Sequence, residues 1–326
     1  MADRFLLTGA LGCIGSWVAR NLVNQGMPPV ILDIGGDPKR LKQLMSDSDL
    51  AKITFVNGDV TNLATVEKTL DDHDITHIIH LAALQVPFCR ANPSLGASVN
   101  VVGTVNMFEA ANKRKDRINK VVYASSVAVY DAADGNSGEI SHGLVGHPTT
   151  LYGVYKQANE GTARVYWHEQ KFPSIALRPY IVYGTGRDQG MTSTPTKAMF
   201  AAAVDQPYHI PFGGRADYHY ADDVANTFIA CARVPFAGAD MFNIRGSLAS
   251  VPDIIAAIEA VAPSVAGKIT CTSDTLPFPD EYENNQLETL IGKLPYTPLD
   301  QAVKDTIVRY RDLVSRGVMA KDALLG

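Results

Sequence analysis

Short apolar runs alternate with longer stretches whose apolar residues recur at helical spacing through the first half of the chain. Residues 4–8, 30–33, 53–57, 77–81, 120–125 and 174–178 read as strands. Helix-like stretches lie between them over 13–24, 38–45, 63–70, 93–114 and 150–170. Several of the strands are too apolar to keep one face wet, the pattern expected when helices cover both sides of a sheet. Repeated strand–helix units therefore predict an α/β fold with a doubly wound parallel sheet. After Arg178 the rhythm breaks into glycines, prolines and short elements to about Arg215, and a second irregular region runs from about Val251 to Pro298. A helix over 221–233 is expected to return to the sheet. The predicted organisation is a large domain of residues 1–178, to which 217–245 return, and a smaller discontinuous C-terminal lobe of 179–216 and 246–326.

A chain of 326 residues accommodates those two units and not three ordinary domains. Hydrophobic residues make up 46% and charged residues 19%, a balance that supplies a core. Net charge is −5, and the one dense basic run, Lys113-Arg114-Lys115-Asp116-Arg117, suits the negative end of a helix better than a nucleic-acid patch. Cys13, Cys89, Cys231 and Cys271 lie far apart without zinc-ligand spacing, so neither a disulfide framework nor a metal site is expected. His77 and His80 stand three apart in a strand, which turns them to opposite faces and makes them structural. The chain opens on a strand without a signal-peptide layout and has no apolar run long enough to span a membrane. A cytoplasmic, soluble protein with no membrane partner is expected.

Candidate chemistry begins where the first strand runs into Thr8-Gly9-Ala10-Leu11-Gly12-Cys13-Ile14-Gly15. Glycines here let the backbone turn sharply and approach a pyrophosphate, whose charge meets the amides of the following helix. Gly9, Leu11, Gly12, Cys13, Ile14 and Gly15 are accordingly candidate dinucleotide contacts. Asp33 ends the second strand 24 residues beyond Gly9, close to the offset of about 20 for an acid that binds ribose hydroxyls. A carboxylate there repels a 2′-phosphate, and Lys39 and Arg40 read as surface charges on the next helix. NAD is thus expected rather than NADP.

Further along stand Asn57-Gly58-Asp59-Val60, His80-Leu81-Ala82-Ala83 and Val99-Asn100-Val101-Val102-Gly103-Thr104. Taken in order, these motifs resemble the extended short-chain dehydrogenase/reductase family, the NAD-dependent epimerase/dehydratase group. The resemblance covers Phe5 to about Asn243. It implies a Rossmann sheet, Asp59 and Val60 at the adenine, and Leu81, Ala82 and Ala83 beneath the cofactor. It also implies Asn100 near the nicotinamide half, Pro179 on the cofactor, and a homodimer formed through helices 93–114 and 150–170.

Tyr152-Gly153-Val154-Tyr155-Lys156 places a tyrosine and a lysine four apart on one helical face. Oxidising an alcohol needs a base for its proton, and a tyrosine of pKa about 10 is protonated at neutral pH. A lysine cation around 4–5 Å away, at an effective dielectric of about 20, contributes roughly 3–4 kcal/mol towards lowering that pKa. Tyr152 is the expected base and Lys156 its tuner and ribose ligand. Tyr155 reads as packing. Tyr123-Ala124-Ser125-Ser126-Val127-Ala128 is similar to the family's catalytic serine segment, which implies Ser126 as donor to the substrate oxygen and Ser125 as its neighbour near the nicotinamide.

Three departures bear on substrate. Val127-Ala128 stand where sugar dehydratases of the family carry an Asp-Glu pair, so dehydration is disfavoured. Ile181 and Ala216 replace an Asn and an Arg that hold a substrate diphosphate in the nucleotide-sugar epimerases. Their C-terminal Arg-Pro-Gly-Asp motif is missing, and Phe278-Pro279-Asp280-Glu281-Tyr282 lies in roughly its place. The expected substrate is a small polar, sugar-like or sugar-acid secondary alcohol without a nucleotide diphosphate. Gln85, Ser125, Ser126, Arg187, Thr192 and Arg215 are its candidate contacts. An NAD-dependent dehydrogenase leads; an epimerase with transient oxidation and a non-catalytic NAD sensor are the alternatives.

Overall fold

The computed structural model describes residues 3–135 and 139–325. Its strands are β1 (Phe5–Thr8), β2 (Val30–Asp33), β3 (Thr54–Asn57), β4 (His77–His80), β5 (Val121–Ala124), β6 (Ser174–Arg178), β7 (Ile181–Tyr183), β8 (Tyr208–Ile210), β9 (Arg215–Tyr220), β10 (Ala239–Asn243), β11 (Ser247–Ser250) and β12 (Ile269–Cys271). Its helices are α1 (Cys13–Asn24), α2 (Lys39–Leu44), α3 (Asp47–Leu50), α4 (Leu63–Asp72), α5 (Val86–Ala91), α6 (Pro93–Ala97), α7 (Gly103–Asn112), α8 (Leu151–Gln170), α9 (Thr194–Ala203), α10 (Ala221–Arg233), α11 (Val251–Val261), α12 (Asn285–Ile291) and α13 (Leu299–Ser315).

Seven strands form one parallel sheet in the order β10-β6-β5-β4-β1-β2-β3. This is the doubly wound Rossmann arrangement. The order reverses between β1 and β4, and such a reversal opens a crevice at the carboxyl ends of the strands. Alternate residues feed opposite layers. Leu7, Ile31, Ile79, Val122 and Ile175 pack with α1 and α10, while Leu6, Leu32, Ile78, Val121 and Ala176 pack with α4 and α7. Burial on both faces explains why these strands read as near-continuous apolar runs.

The remaining strands form a small sheet, β11-β9-β7, and the pair β12-β8. Residues 217–220, expected within the returning segment, belong to β9 of this small sheet, and the return begins with α10. Residues 93–114, expected as one helix, divide into α6, a π-helical turn over Ser98–Val102, and α7. The wider turn brings Asn100 round to the backbone of Leu84, and π-bulges of this kind accompany functional sites. The short helix α5 was not expected from the pattern. Among the described residues no helix is long and apolar enough to cross a membrane.

Candidate active site

The crevice is built first by close backbone approach. Gly9 has φ +69°, and a Cβ there would lie 2.6 Å from Ala82 N and Leu81 C; one on Gly15 would lie 2.3 Å from Gly9 O. Any side chain at either point would push the glycine loop off the β4 loop or off α1. Gly12 caps α1 without a side-chain acceptor, leaving the start of that helix suited to an anion. Gly9, Gly12 and Gly15 therefore fit a bound dinucleotide, with Cys13 and Ile14 as the first residues of α1.

Asp33 accepts from the backbone of Leu11 and Ile34, while burial pushes its carboxyl above the ordinary value. It lines a cavity of about 190 Å³ together with Leu11, Gly35, Gly36, Pro38, Phe55, Val56 and Asn57. Gly35, Gly36, Pro38, Phe55 and Val56 were not among the sequence candidates; an aromatic left exposed on edge strand β3 was an available signal. Asp59 and Val60 do not line this cavity. Asp59 accepts from Thr61 N at 2.8 Å, and Val60 is buried, its carbonyl accepting from Asn106 Nδ2 at 3.0 Å.

The loop after β4 forms the crevice floor, with Leu81, Ala82 and Ala83 on it. Ala82 N donates to Thr8 Oγ1 at 3.2 Å, and Thr8 Oγ1 meets His80 Nδ1 at 2.7 Å. Asn100 is buried, and its amide is fully engaged: Oδ1 accepts from Leu84 N at 2.7 Å and Nδ2 donates to Leu84 O at 2.9 Å. It supports the floor from behind.

Tyr152 and Lys156 lie on the first turns of α8, whose N-cap Thr150 accepts from Gly153 N at 3.0 Å. Gly153 is required here, since a Cβ would stand 2.0 Å from Ala128 O. That close packing sets Tyr152 beside Ser126, whose hydroxyl works to lower the Tyr152 pKa. Ser126 also accepts from Ala128 N at 3.1 Å, and the carbonyl of buried Pro179 holds Val127 N at 3.2 Å. Lys156 is 4% exposed, donates to Ala124 O at 2.6 Å and has Nζ 5.5 Å from the Tyr152 ring centroid. Burial lowers its pKa to about 8. Tyr155 donates to Pro93 O at 2.9 Å, tying α8 to α6.

The expectation that Lys156 depresses the Tyr152 pKa is corrected. Burial raises Tyr152 above its ordinary value, and Ser126 and then Arg187 oppose the rise. The lysine instead points to the β5 carbonyl. Ser125 is corrected as well: its hydroxyl turns inward and donates to Glu160 Oε1 at 2.6 Å. Glu160 also receives Arg178 Nε and Nη2, both at 2.7 Å, so Ser125 belongs to a buried ion pair under the crevice.

Gln85, Arg187 and Thr192 converge at Gly190. Arg187 Nη2 donates to Thr192 Oγ1 at 3.0 Å, and a Cβ on Gly190 would lie 2.7 Å from Gln85 Oε1 and 3.4 Å from Arg187 Nη2. Arg187 Nε is buried without a partner. Arg215 does not join them. It is exposed on β9 and is held by Asp280, at 2.9 Å, and by Glu281. Arg40 is the other correction: far from being a free surface charge, its side chain is 14% exposed and bonded to Asp188 and to Leu11 O. The thiol of Cys13 lies near Arg187 and Arg40; burial pushes it up to about 11. Among the described residues no His, Cys, Asp or Glu group could hold a metal ion.

The NAD dependent epimerase/dehydratase family model matches residues 5–244. UDP-glucose 4-epimerase of Mycolicibacterium smegmatis is 28% identical over 325 residues, 95% of this chain and 99% of that protein. The structure of MoeE5 in complex with UDP-glucuronic acid and NAD aligns with a TM-score of 0.77 at 25% identity, covering 95% of this chain and 99% of that one. L-threonine dehydrogenase from Clostridium difficile aligns with a TM-score of 0.83 at 20% identity, covering 97% and 99%. The last likeness is one of fold.

Proposed function

The chain belongs to the NAD dependent epimerase/dehydratase family and its cofactor is NAD, and from that premise we propose that it is a dehydrogenase of small polar secondary alcohols that carry no nucleotide diphosphate. When bound, NAD accepts the hydride from the carbinol carbon. Tyr152 takes the hydroxyl proton, Ser126 donates a hydrogen bond to the same oxygen, and Lys156 binds the cofactor ribose. The products are a ketone, reduced cofactor and one proton. The high Tyr152 pKa requires a nearby positive charge for efficient proton removal; Arg187 lowers it in the protein, and the oxidised cofactor brings a further cation.

The observation that carries the substrate class is the state of the groups a diphosphate would need. Ile181 and Ala216 are buried apolar side chains, and Arg215 is already neutralised by Asp280 and Glu281. Tyr180 packs edge-on against Phe278 and Tyr282, so the acidic segment 278–282 and its aromatics fill the neighbouring space. Arg187, with its buried Nε unpartnered, suits one carboxylate or a few hydroxyls together with Gln85 and Thr192. A charge-assisted hydrogen bond contributes roughly 1.5–3 kcal/mol, so two or three missing donors weaken diphosphate binding by orders of magnitude.

The second reading is an epimerase, favoured by the similarity to the Mycolicibacterium UDP-glucose 4-epimerase over 95% of the chain. Calorimetry of the NAD-loaded protein against free sugars, sugar acids and UDP-hexoses separates the two, with reduced cofactor and stereochemical change followed in parallel. Turnover of a free hydroxy compound with accumulation of NADH is expected. Micromolar binding of a UDP-hexose with its epimerisation would reverse the order of the readings.

A homodimer accompanies this proposal. Leu151, Val154 and Val165 repeat along one exposed stripe of α8, with Leu95 and Val102 exposed on the neighbouring helical segment. A second copy is the proposed cover.

A further inference from the structure

Asp188 and Arg40 had no role in the family pattern, yet they form a largely buried ion pair at the crevice rim. Arg40 comes from the first turn of α2, on the cofactor side. Asp188 comes from the loop after β7, on the substrate side. Arg40 Nε and Nη2 donate to Asp188 Oδ1 at 2.9 and 2.5 Å, and Arg40 Nη1 donates to Leu11 O at 2.6 Å. Lys39 Nζ reaches Asp188 Oδ2 at 2.9 Å. One guanidinium thus joins α2, the crest of the glycine loop and the substrate loop.

The contact is enclosed, since the Asp188 side chain is 7% exposed. Gly186, at φ +90°, lies against the Arg40 stem, and a Cβ there would sit 3.7 Å from Arg40 Cβ and Cδ. The loop base is fixed independently: Trp17 Nε1 donates to Thr185 O at 2.9 Å, and Gly184 N to Thr196 Oγ1 at 3.2 Å. Burial alone would raise the Asp188 carboxyl, but Lys39 and Arg40 hold it below its ordinary range. The adjacent residue, Arg187, keeps an unpartnered buried Nε and donates from Nη2 to Thr192 Oγ1 at 3.0 Å. Leu11, whose carbonyl Arg40 grips, is also a wall of the cavity that contains Asp33.

We infer that the Arg40–Asp188 pair is a clasp across the rim of the crevice, which seats Arg187 and sets how fast NAD leaves. Resting on NAD as the cofactor, it follows from placement. Leu11, held by Arg40, lines the cavity beside Asp33, while Arg187, next to Asp188, is close enough to Tyr152 for its charge to act on it. On this inference a dinucleotide reaching from the Asp33 cavity to Tyr152 would pass the segment so tied, and its release would require the ion pair to part. Asp188 and Arg40 are positioning residues in this scheme. Neither needs to touch the reacting atoms.

The test is stopped-flow release of NADH: protein loaded with NADH is chased with excess NAD and the loss of bound fluorescence is followed. Asp188→Asn keeps the shape of the side chain and removes its charge, and should speed release at least tenfold, equivalent to about 1.4 kcal/mol. Arg40→Met should do the same, and the double variant should release no faster than the faster single one, because one interaction is being removed. Asp188→Glu should recover part of the slow release. Arg40→Lys, which keeps the charge but loses the fork, should fall between, and it serves if Asp188→Asn does not fold. Release rates within twofold of the unaltered protein, or single effects that multiply in the double variant, overturn the clasp. Failure of the unaltered protein to bind NADH would overturn the cofactor assignment and the clasp with it.

Discussion

His80 sits under the crevice with both ring nitrogens bonded, which makes the acid stability of the floor a calculable quantity. Thr104 Oγ1 donates to Asn100 O at 2.8 Å, so at 3.1 Å it accepts from His80 Nε2–H. With the neutral ring protonated on Nε2, Nδ1 is an acceptor and Thr8 Oγ1, which also accepts from Ala82 N, donates to it. The relay exists only for the neutral ring protonated on Nε2. Burial, with the Lys156 charge adding, drives the His80 pKa down to about 3, against an ordinary value of 6.5. A depressed folded pKa means that the unfolded chain binds the extra proton between those values. The contribution to stability is then complete above about pH 6.5 and is lost as pH falls through the window towards about 3. At about 1.4 kcal/mol per unit, roughly 2 kcal/mol is lost between about pH 7 and about pH 5. Urea unfolding across that range, on the unaltered protein and on His80→Gln, measures it. Glutamine cannot protonate, so the variant should be less stable at neutral pH by about 1–3 kcal/mol but should lack His80's share of the acid loss. Equal pH dependence in both proteins, or a His80 ring titrating near 6.5 by NMR, would refute the argument.

Other outcomes follow from the crevice. Asp33→Ala should narrow a strong preference for NAD over NADP in equilibrium binding; equal affinity of the unaltered protein for both would remove Asp33 from the cofactor assignment. Tyr152→Phe should cut alcohol oxidation at least about a hundredfold with NAD binding largely kept. Because the Tyr152 pKa is raised, the oxidation rate should climb with pH well into the alkaline range, and a flat profile would exclude it as the base. Lys156→Ala should weaken both turnover and NAD binding, and loss of only one would divide its two proposed roles. Val154→Asp should yield monomers in sedimentation if the exposed α8 stripe is covered by a second copy, and an unchanged dimer would place the interface elsewhere.

The local parts of this protein were written in its pattern of residues. Buried strands announce themselves by continuous apolar runs, and the Gly9–Gly15 loop by the need to turn without side chains. Asp33 follows from its place at the end of a strand, and Tyr152 with Lys156 from helical periodicity. Each depends on neighbours within a few residues or on one strand–helix unit, so sequence spacing reports it.

What spacing could not supply were contacts between segments brought together by the sheet order. Ser125 and Ser126 are adjacent, yet backbone direction at the end of β5 sends one hydroxyl inward to Glu160 and leaves the other with Tyr152. Arg215 looks like a free cation until the 278–282 segment folds back on it. Arg40 looks like surface charge until Asp188, 148 residues away, meets it across the rim. Periodicity fixes which face of an element a residue occupies; what stands opposite that face, and so whether a charge is free, paired or desolvated, is decided only when the elements pack.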